Sequence, residues 1–431
     1  MDYSNLIYGY EKKVPTESGL KRYINLDNAA STPPFKGVMD HLAEEALWYS
    51  SIHRGSGFKS LHSTQQYESA REIIADFIEA DLSHDIVIFT KNTTDSMNKL
   101  SHYLSALPGD LIVYTKLEHH SNELPWRKAK TICVGLRNSI LDLGELECIL
   151  RTNRGRIKFL AVSGASNVTG YTPPIYTLAE MAHQAGAKIV VDGAQLVPHR
   201  PVKLYPFNDP RHIDFLAFSG HKMYAPFGAG VLVGPREIFN QKPPSQVGGG
   251  TVKGIGPGGI IWADIPETEE AGSPNVLGSL ALAKASQILQ NIGWNSLIEH
   301  EYSLLIYALA QLKKIPGIIL YEVPVEQQIG VISFNIRGVD HTVVAKYLAQ
   351  RKGIGVRSGC FCARGYVQCL LQLNFSQVTA LQEKLNQGIE NWVPGMVRIS
   401  FGCYNNLKDV ECLVKALEEF CGYVSDYGIM I

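Results

Sequence analysis

No run of apolar residues in the chain approaches the roughly 18 that a membrane-spanning helix needs, so a helical span is not expected. The opening Met1-Asp2-Tyr3-Ser4-Asn5 lacks the basic-then-apolar order of a secretory leader, and the charged Glu11, Lys12, Lys13 and Glu17 follow soon after. The expected location is cytoplasmic. Charge of one sign is missing as well: 40 Lys and Arg against 41 Asp and Glu leave a net charge of −1, and the basic residues are dispersed. Such a chain has no whole-molecule field to draw it to nucleic acid or an anionic membrane, so a small-molecule partner is expected. Cysteine is absent before Cys133, and the eight from there on are too unevenly spread to frame a disulfide-stapled fold. They are read as thiols. Cys360, Cys362 and Cys369 have no second CxxC-type pair or HxxxH nearby to complete a tetrahedral site, and no metal is expected.

What the chain does have is a hydrophobic fraction of 45% over 431 residues, enough for about two to three packed units. Short apolar runs at 85–90, 110–115, 157–163, 187–192 and 215–219 alternate with helical patterns such as 64–80 and 177–185. Strands that are apolar throughout, rather than at every second position, imply a sheet covered on both faces, and the alternation is that of βαβ units. The first domain is thus read as α/β, with a mostly parallel sheet. The glycines between 248 and 259 are read as a long flexible connection serving as a lid or an interface. Pro274 after Ser273 marks a capped helix start, followed by helical spacing through 289 to 293 and a second helix to 314. Strands at 331–335 and 397–400 with helices at 342–351 and 407–420 then predict a smaller α+β domain. The predicted divisions are 1–24, a segment packing with the small domain; 25–280, the large domain; and 281–431, the small domain.

Ligands of open α/β sheets sit beyond the carboxyl ends of strands, and several strands here end in polar residues. In Asp214-Phe-Leu-Ala-Phe-Ser-Gly-His-Lys222 a buried strand delivers Ser219, His221 and Lys222 at its polar end. A desolvated lysine loses its charge, and a neutral amine condenses with an aldehyde; a lone lysine in such a place is more often a solvated surface residue. Asp192 closes another buried strand, where a carboxylate can keep a pyridine nitrogen protonated or simply cap a helix. Thr93 and Thr94 open a helix, which suits a phosphate as well as an ordinary N-cap. His119 in Glu118-His-His-Ser-Asn122 offers a flat ring for stacking and proton transfer, a solvated His pair being the alternative. Asn167 follows the strand ending at Ser163 and can hold a carboxylate or cap a turn. Arg357 supplies a planar fork for a carboxylate close to Cys360 and Cys362, and a nearby cation favours thiolate, although a free cysteine is usually a small buried hydrophobe. These features point to a pyridoxal 5′-phosphate enzyme acting on a small amino acid.

In this order the segments resemble the class V aminotransferase superfamily, and within it the cysteine desulfurase and selenocysteine lyase group. The likeness runs from Asn25-Leu-Asp-Asn-Ala-Ala-Ser-Thr-Pro33 through His53-Arg-Gly55, Asn92-Thr-Thr94, Glu118-His-His120, Val191-Asp-Gly-Ala-Gln195, Ser219-Gly-His-Lys222, Gly248-Gly-Gly250 and Ala271-Gly-Ser-Pro-Asn275 to Arg357–Cys362 and Val397-Arg-Ile-Ser400. The resemblance implies the aminotransferase fold of type I, with a mostly parallel seven-stranded sheet. It implies Lys222 in covalent linkage to the cofactor aldehyde, Asp192 at the pyridine nitrogen, Gln195 toward the phenolic oxygen and His119 stacked on the ring. Phosphate contacts fall to Thr93, Thr94, Ser219 and His221, with Ser273 reaching across from the second subunit of a homodimer. Arg357, Asn167 and Arg398 are implied for the substrate carboxylate.

The reaction implied is conversion of L-cysteine to L-alanine, with sulfur passing to Cys362 as a persulfide and then to an acceptor protein. Other outcomes kept open are a selenocysteine lyase, another carbon–sulfur lyase, an epimerase, a transaminase or a non-catalytic sulfur-relay scaffold. Cys360 stands where the group often has histidine, which leaves open which thiol acts. Ser273 stands where threonine is common, and the stretch from Cys362 to Arg398 is roughly twenty residues longer than in stand-alone desulfurases. Gly359-Cys-Phe-Cys and Val397-Arg-Ile-Ser-Phe-Gly402 also resemble the aminotransferase-like domain of molybdenum-cofactor sulfurases.

Overall fold

Side chains on the strands of a seven-stranded sheet alternate between two apolar layers, and this alternation organises the packing around it. The computed structural model describes residues 2–104, 110–389 and 393–426. In β1 (Asp85–Thr90), Val87 and Phe89 join one layer with Tyr67, Ala70 and Ile74 of α1 (Phe58–Phe77). Ile86 and Ile88 join the other, with Met97, Leu100 and Tyr103 of α2 (Thr93–Tyr103). Each fully buried side chain of this kind contributes about 1.5–3 kcal/mol, which is why the strands are apolar without a break.

The remaining strands are β2 (Leu111–Thr115), β3 (Thr131–Val134), β4 (Ile157–Ser163), β5 (Lys188–Asp192), β6 (Phe215–Ser219) and β7 (Gly230–Pro235). The seven-stranded sheet has the order β1-β7-β6-β5-β4-β2-β3, and β7 alone runs antiparallel to its neighbours. In register, Asp192 lies beside Ser163 and Ala217, and Gly230 beside both Ser219 and Thr90. The carboxyl ends of the parallel strands therefore finish along one edge, and the loops that follow converge there.

A second apolar cluster, around Leu304, Leu305, Phe334, Leu348, Val397 and Leu417, lies beneath a four-stranded antiparallel sheet. Its order is Ile318–Leu320, Val331–Ile336, Met396–Ser400, Arg357–Gly359. Leu26 and Ile24 belong to this cluster, and Arg22 pairs with Asp409, so the amino-terminal segment contacts it. No helix among the described residues is long and apolar enough to cross a membrane.

Two expectations need correction, and one strand was not foreseen. The glycine-rich stretch is not simply a loop: Val252–Gly256 and Gly259–Trp262 pair as an antiparallel hairpin. The helix at Val276–Ile292 is capped by Asn275, whose side chain accepts from Gly278 N at 3.0 Å, and not by Ser273. β7 was not anticipated, because Gly230, Gly234 and Pro235 read as breakers; packing between β1 and β6 overrides that local signal.

Candidate active site

β6 ends in a tight turn, Gly220–Lys222. A Cβ on Gly220 would stand 3.0 Å from Ala225 O and 3.1 Å from Ala229 O, so the turn closes readily only with glycine. It sends Lys222 into a cavity of about 500 Å³, within the size range of cofactor sites. Every site residue expected from the sequence lines that cavity except Ser273. Ser273 lies in a separate hollow with His53 and Arg54.

Burial pushes the Lys222 amine down to about 8, with Arg398 acting in the same sense and Asp192 opposing. Burial also pushes the Asp192 carboxyl up, against the pull of Lys222 and the Ala194 N–H. Asp192 Oδ1 accepts from that N–H at 3.0 Å. Gln195 Nε2 donates to Ala29 O at 2.6 Å, which anchors the amide at the cavity wall.

A donor-rich end lies at the start of α2. Asn92 caps it by accepting from Asp95 N at 2.9 Å, and Thr93 N donates to Ser219 Oγ at 2.8 Å. Thr94 Oγ1 and Ser121 Oγ are 2.6 Å apart, and Ser121 N donates to His119 Nδ1 at 3.1 Å. Because Nδ1 accepts, the proton of the neutral ring sits on Nε2. Burial, reinforced by Lys222, pushes His119 down to about 3, and the same two causes push His221 down to about 4. Both rings are therefore neutral near pH 7. Hydroxyls, helix-terminal amides and the helix dipole together suit a phosphate.

The opposite wall comes mainly from the four-stranded sheet. Arg398 and Arg357 face each other across paired strands, a repulsive arrangement on its own. Asp27 sits between them: its Oδ1 is 3.0 Å from Arg398 Nη2 and its Oδ2 3.2 Å from Arg357 Nε. One carboxylate for two guanidiniums leaves net positive charge. Arg398 is only 2% exposed, its Nη1 donates to Asn167 O at 2.9 Å, and its Nε has no partner among the described residues. Burial pushes Arg398 down to about 10 despite Asp27.

Phe361 and Cys362 occupy the left-handed backbone region, φ 53° and 54°, at a cost on the order of 1 kcal/mol each. The turn is held by Asn167 Nδ2 donating to Phe361 O at 2.7 Å, by His120 N donating to Cys362 O at 2.7 Å, and by the Arg398 guanidinium 4.8 Å from the Phe361 ring centre. The Cys362 thiol is exposed and lines the cavity. Cys360 is half-buried, donates to Pro394 O at 3.3 Å, and has its thiol pushed up by burial.

Sequence reasoning assigned no role to three residues that shape the site. Asp27 stands in the Asn25-Leu-Asp-Asn motif, but its partners are some 330 to 370 positions away. Glu118 is buried, accepts from Thr115, Ser163 and Asn122, and is pushed by burial up to about 7. Ser121 joins His119 to Thr94. The signal available was their adjacency to residues already chosen.

A depressed lysine, a buried carboxylate, a donor-rich helix start and a doubly basic wall around one cavity fit pyridoxal 5′-phosphate. The sheet order and the site are those of the type I fold of enzymes that use this cofactor. The chain belongs to the class V aminotransferases, whose family model matches residues 24–413. It is 35% identical over 408 residues to a cysteine desulfurase of Yersinia pestis (strain Pestoides F), with 92% of each chain covered. Its structure resembles that of an apo cysteine desulfurase from Thermococcus onnurineus NA1, with TM-score 0.81, 32% identity, and 93% and 95% of the two chains covered. It also resembles the Escherichia coli cysteine desulfurase CsdA in an S-sulfonic acid form, with TM-score 0.78, 29% identity, and 93% and 95% covered.

Proposed function

We propose that the protein is a pyridoxal 5′-phosphate-dependent cysteine desulfurase that converts L-cysteine to L-alanine and carries the sulfur as a persulfide on Cys362. When bound, the cofactor supplies an aldehyde for amines to condense with and a protonated ring that takes up electrons released at the substrate α-carbon. Asp192 would hold the ring nitrogen protonated, Gln195 the phenolic oxygen, and Thr93, Thr94, Ser219 and His221 the phosphate, with His119 against the ring face. Lys222, whose amine is neutral in a substantial fraction of molecules near pH 8, would take the α-proton. Arg398, which lines the cavity, would bind the substrate carboxylate with Arg357 and Asn167.

The Cys362 thiolate would then attack the substrate sulfur. An S–S bond forms, the C–S bond breaks with its electron pair staying on carbon, and that carbon takes up a proton to become the alanine methyl group. The observation that carries this reading is the exposed Cys362 thiol lining one cavity with Lys222 and Arg398. Cys360 is the weaker candidate, since its thiol is already bonded to Pro394 O and raised by burial. An exposed Cys362 suits onward transfer to an acceptor protein, and thiols unpaired at all eight positions suit a cytoplasmic setting. The reading includes a homodimer in which Ser273 reaches the partner's phosphate.

The test incubates the cofactor-loaded protein with L-cysteine and maps persulfide by mass spectrometry. One extra sulfur on the Cys362 peptide is expected, with alanine formation falling by about a hundredfold or more in Cys362→Ala. Undiminished persulfide and alanine in Cys362→Ala would contradict the assignment.

A further inference from the structure

The edge of the sheet away from the cavity carries a cluster of ligating side chains that the proposed chemistry does not use. His84 precedes β1, Asp85 is its first residue, and His212 lies just ahead of β6. One ligand atom from each residue lies within 4.8 Å of the other two. Asp85 and His212 are each 1% exposed, while the His84 side chain is 22% exposed.

Hydrogen bonding decides what these side chains present. His212 Nδ1 is 2.8 Å from Tyr205 O, a carbonyl that only accepts, so Nδ1 carries the proton and Nε2 of the neutral ring is a bare lone pair. That Nε2 is buried and has no partner among the described residues. Asp85 Oδ1 accepts from His84 Nδ1 at 2.8 Å, a proton that a metal ion would displace, whereas Oδ2 is buried and also without a partner among them. Two buried acceptors thus share one small space with no donor for either, an arrangement that costs on the order of 1–3 kcal/mol per group if nothing fills it. Phe207 stacks on His84 with ring centres 4.0 Å apart.

We propose that His84, Asp85 and His212 bind a single divalent transition-metal ion of the zinc or cobalt class. Two imidazoles and one carboxylate are a familiar donor set for such ions, and the partly exposed His84 side leaves room for water as a fourth ligand. The Tyr205 carbonyl fixes the His212 ring with Nε2 inward, the outer hydrogen bond that metal-bound histidines need. Metal bonds of about 2.0–2.2 Å draw the three ligand atoms together by small side-chain movements. Because the ligands precede or open strands on either side of β7, the ion would staple the amino edge of the sheet.

The test strips the cofactor-loaded protein with a chelator, titrates it with Co²⁺, and counts metal by plasma mass spectrometry. Wild type is expected to hold one Co²⁺ per chain more than His84→Ala or His212→Gln. The difference spectrum should show weak d–d bands with no thiolate charge-transfer band, which separates this site from the cysteines. The visible absorbance of bound cofactor serves as the folding control, and His84→Ala, at the more exposed position, decides the matter alone if His212→Gln does not fold. Equal Co²⁺ uptake in wild type and variant, or a difference spectrum dominated by thiolate ligation, overturns the proposal and leaves a proton shared between His212 and Asp85 as the occupant.

Discussion

Lys222 is the residue whose environment has the plainest consequence in solution. An ordinary lysine titrates near 10.4, whereas burial brings this one to about 8. Only the neutral amine attacks an aldehyde, and its fraction grows tenfold per pH unit below the pKa and levels off above it. The rate at which cofactor-free protein takes up pyridoxal 5′-phosphate should therefore rise from pH 6 and flatten near pH 8, as stopped-flow absorbance would show. A rate still climbing steeply at pH 10 would mean that Lys222 is an unperturbed lysine. Lys222, Asp192 and His119 were legible in the sequence because each ends or follows a buried strand. Asp27 was not: its role comes from two arginines that reach it only through the tertiary fold.

At the scale of elements, the start of α2 depends on how closely β7 approaches it. A Cβ on Gly230 would stand 2.6 Å from Asn92 Cα, in the residue that caps the helix. Gly230→Ala is expected to cost about 1–3 kcal/mol through overpacking. It should also weaken cofactor binding, because Thr93, Thr94 and Ser219 move with that cap. Urea unfolding and cofactor titration of the variant check both, and unchanged stability with unchanged affinity would contradict the packing argument. This also explains why β7 was not legible: its glycines are there for close approach of backbones, yet in one sequence they read as turns. The parallel strands were legible because burial on both faces leaves a continuous apolar run. The 252–262 hairpin was hidden by its glycines and, being exposed, left no apolar core pattern.

At the scale of the whole molecule, that hairpin bears on the dimer in the proposed function. Ile255 and Ile261 are 78% and 64% exposed, and Gly272 N donates to Gly249 O at 2.7 Å, tying the hairpin's base to the segment that carries Ser273. If a second copy covers this surface, Ile255→Asp with Ile261→Asp should halve the sedimenting mass and loosen the cofactor. A wild-type protein that sediments as a monomer with full cofactor affinity would contradict the dimer. The α/β architecture, with a sheet covered on both faces, followed from strand composition, and the order of the site's motifs from the family resemblance they carry; how distant segments pair across the cavity did not. The proposed function rests on Lys222 as the point of covalent attachment. Borohydride reduction of the yellow protein followed by peptide mapping tests that most directly: a pyridoxyl-phosphate mass on the Lys222 peptide, absent in Lys222→Ala, is the predicted result, and a label on another lysine or none at all would contradict it.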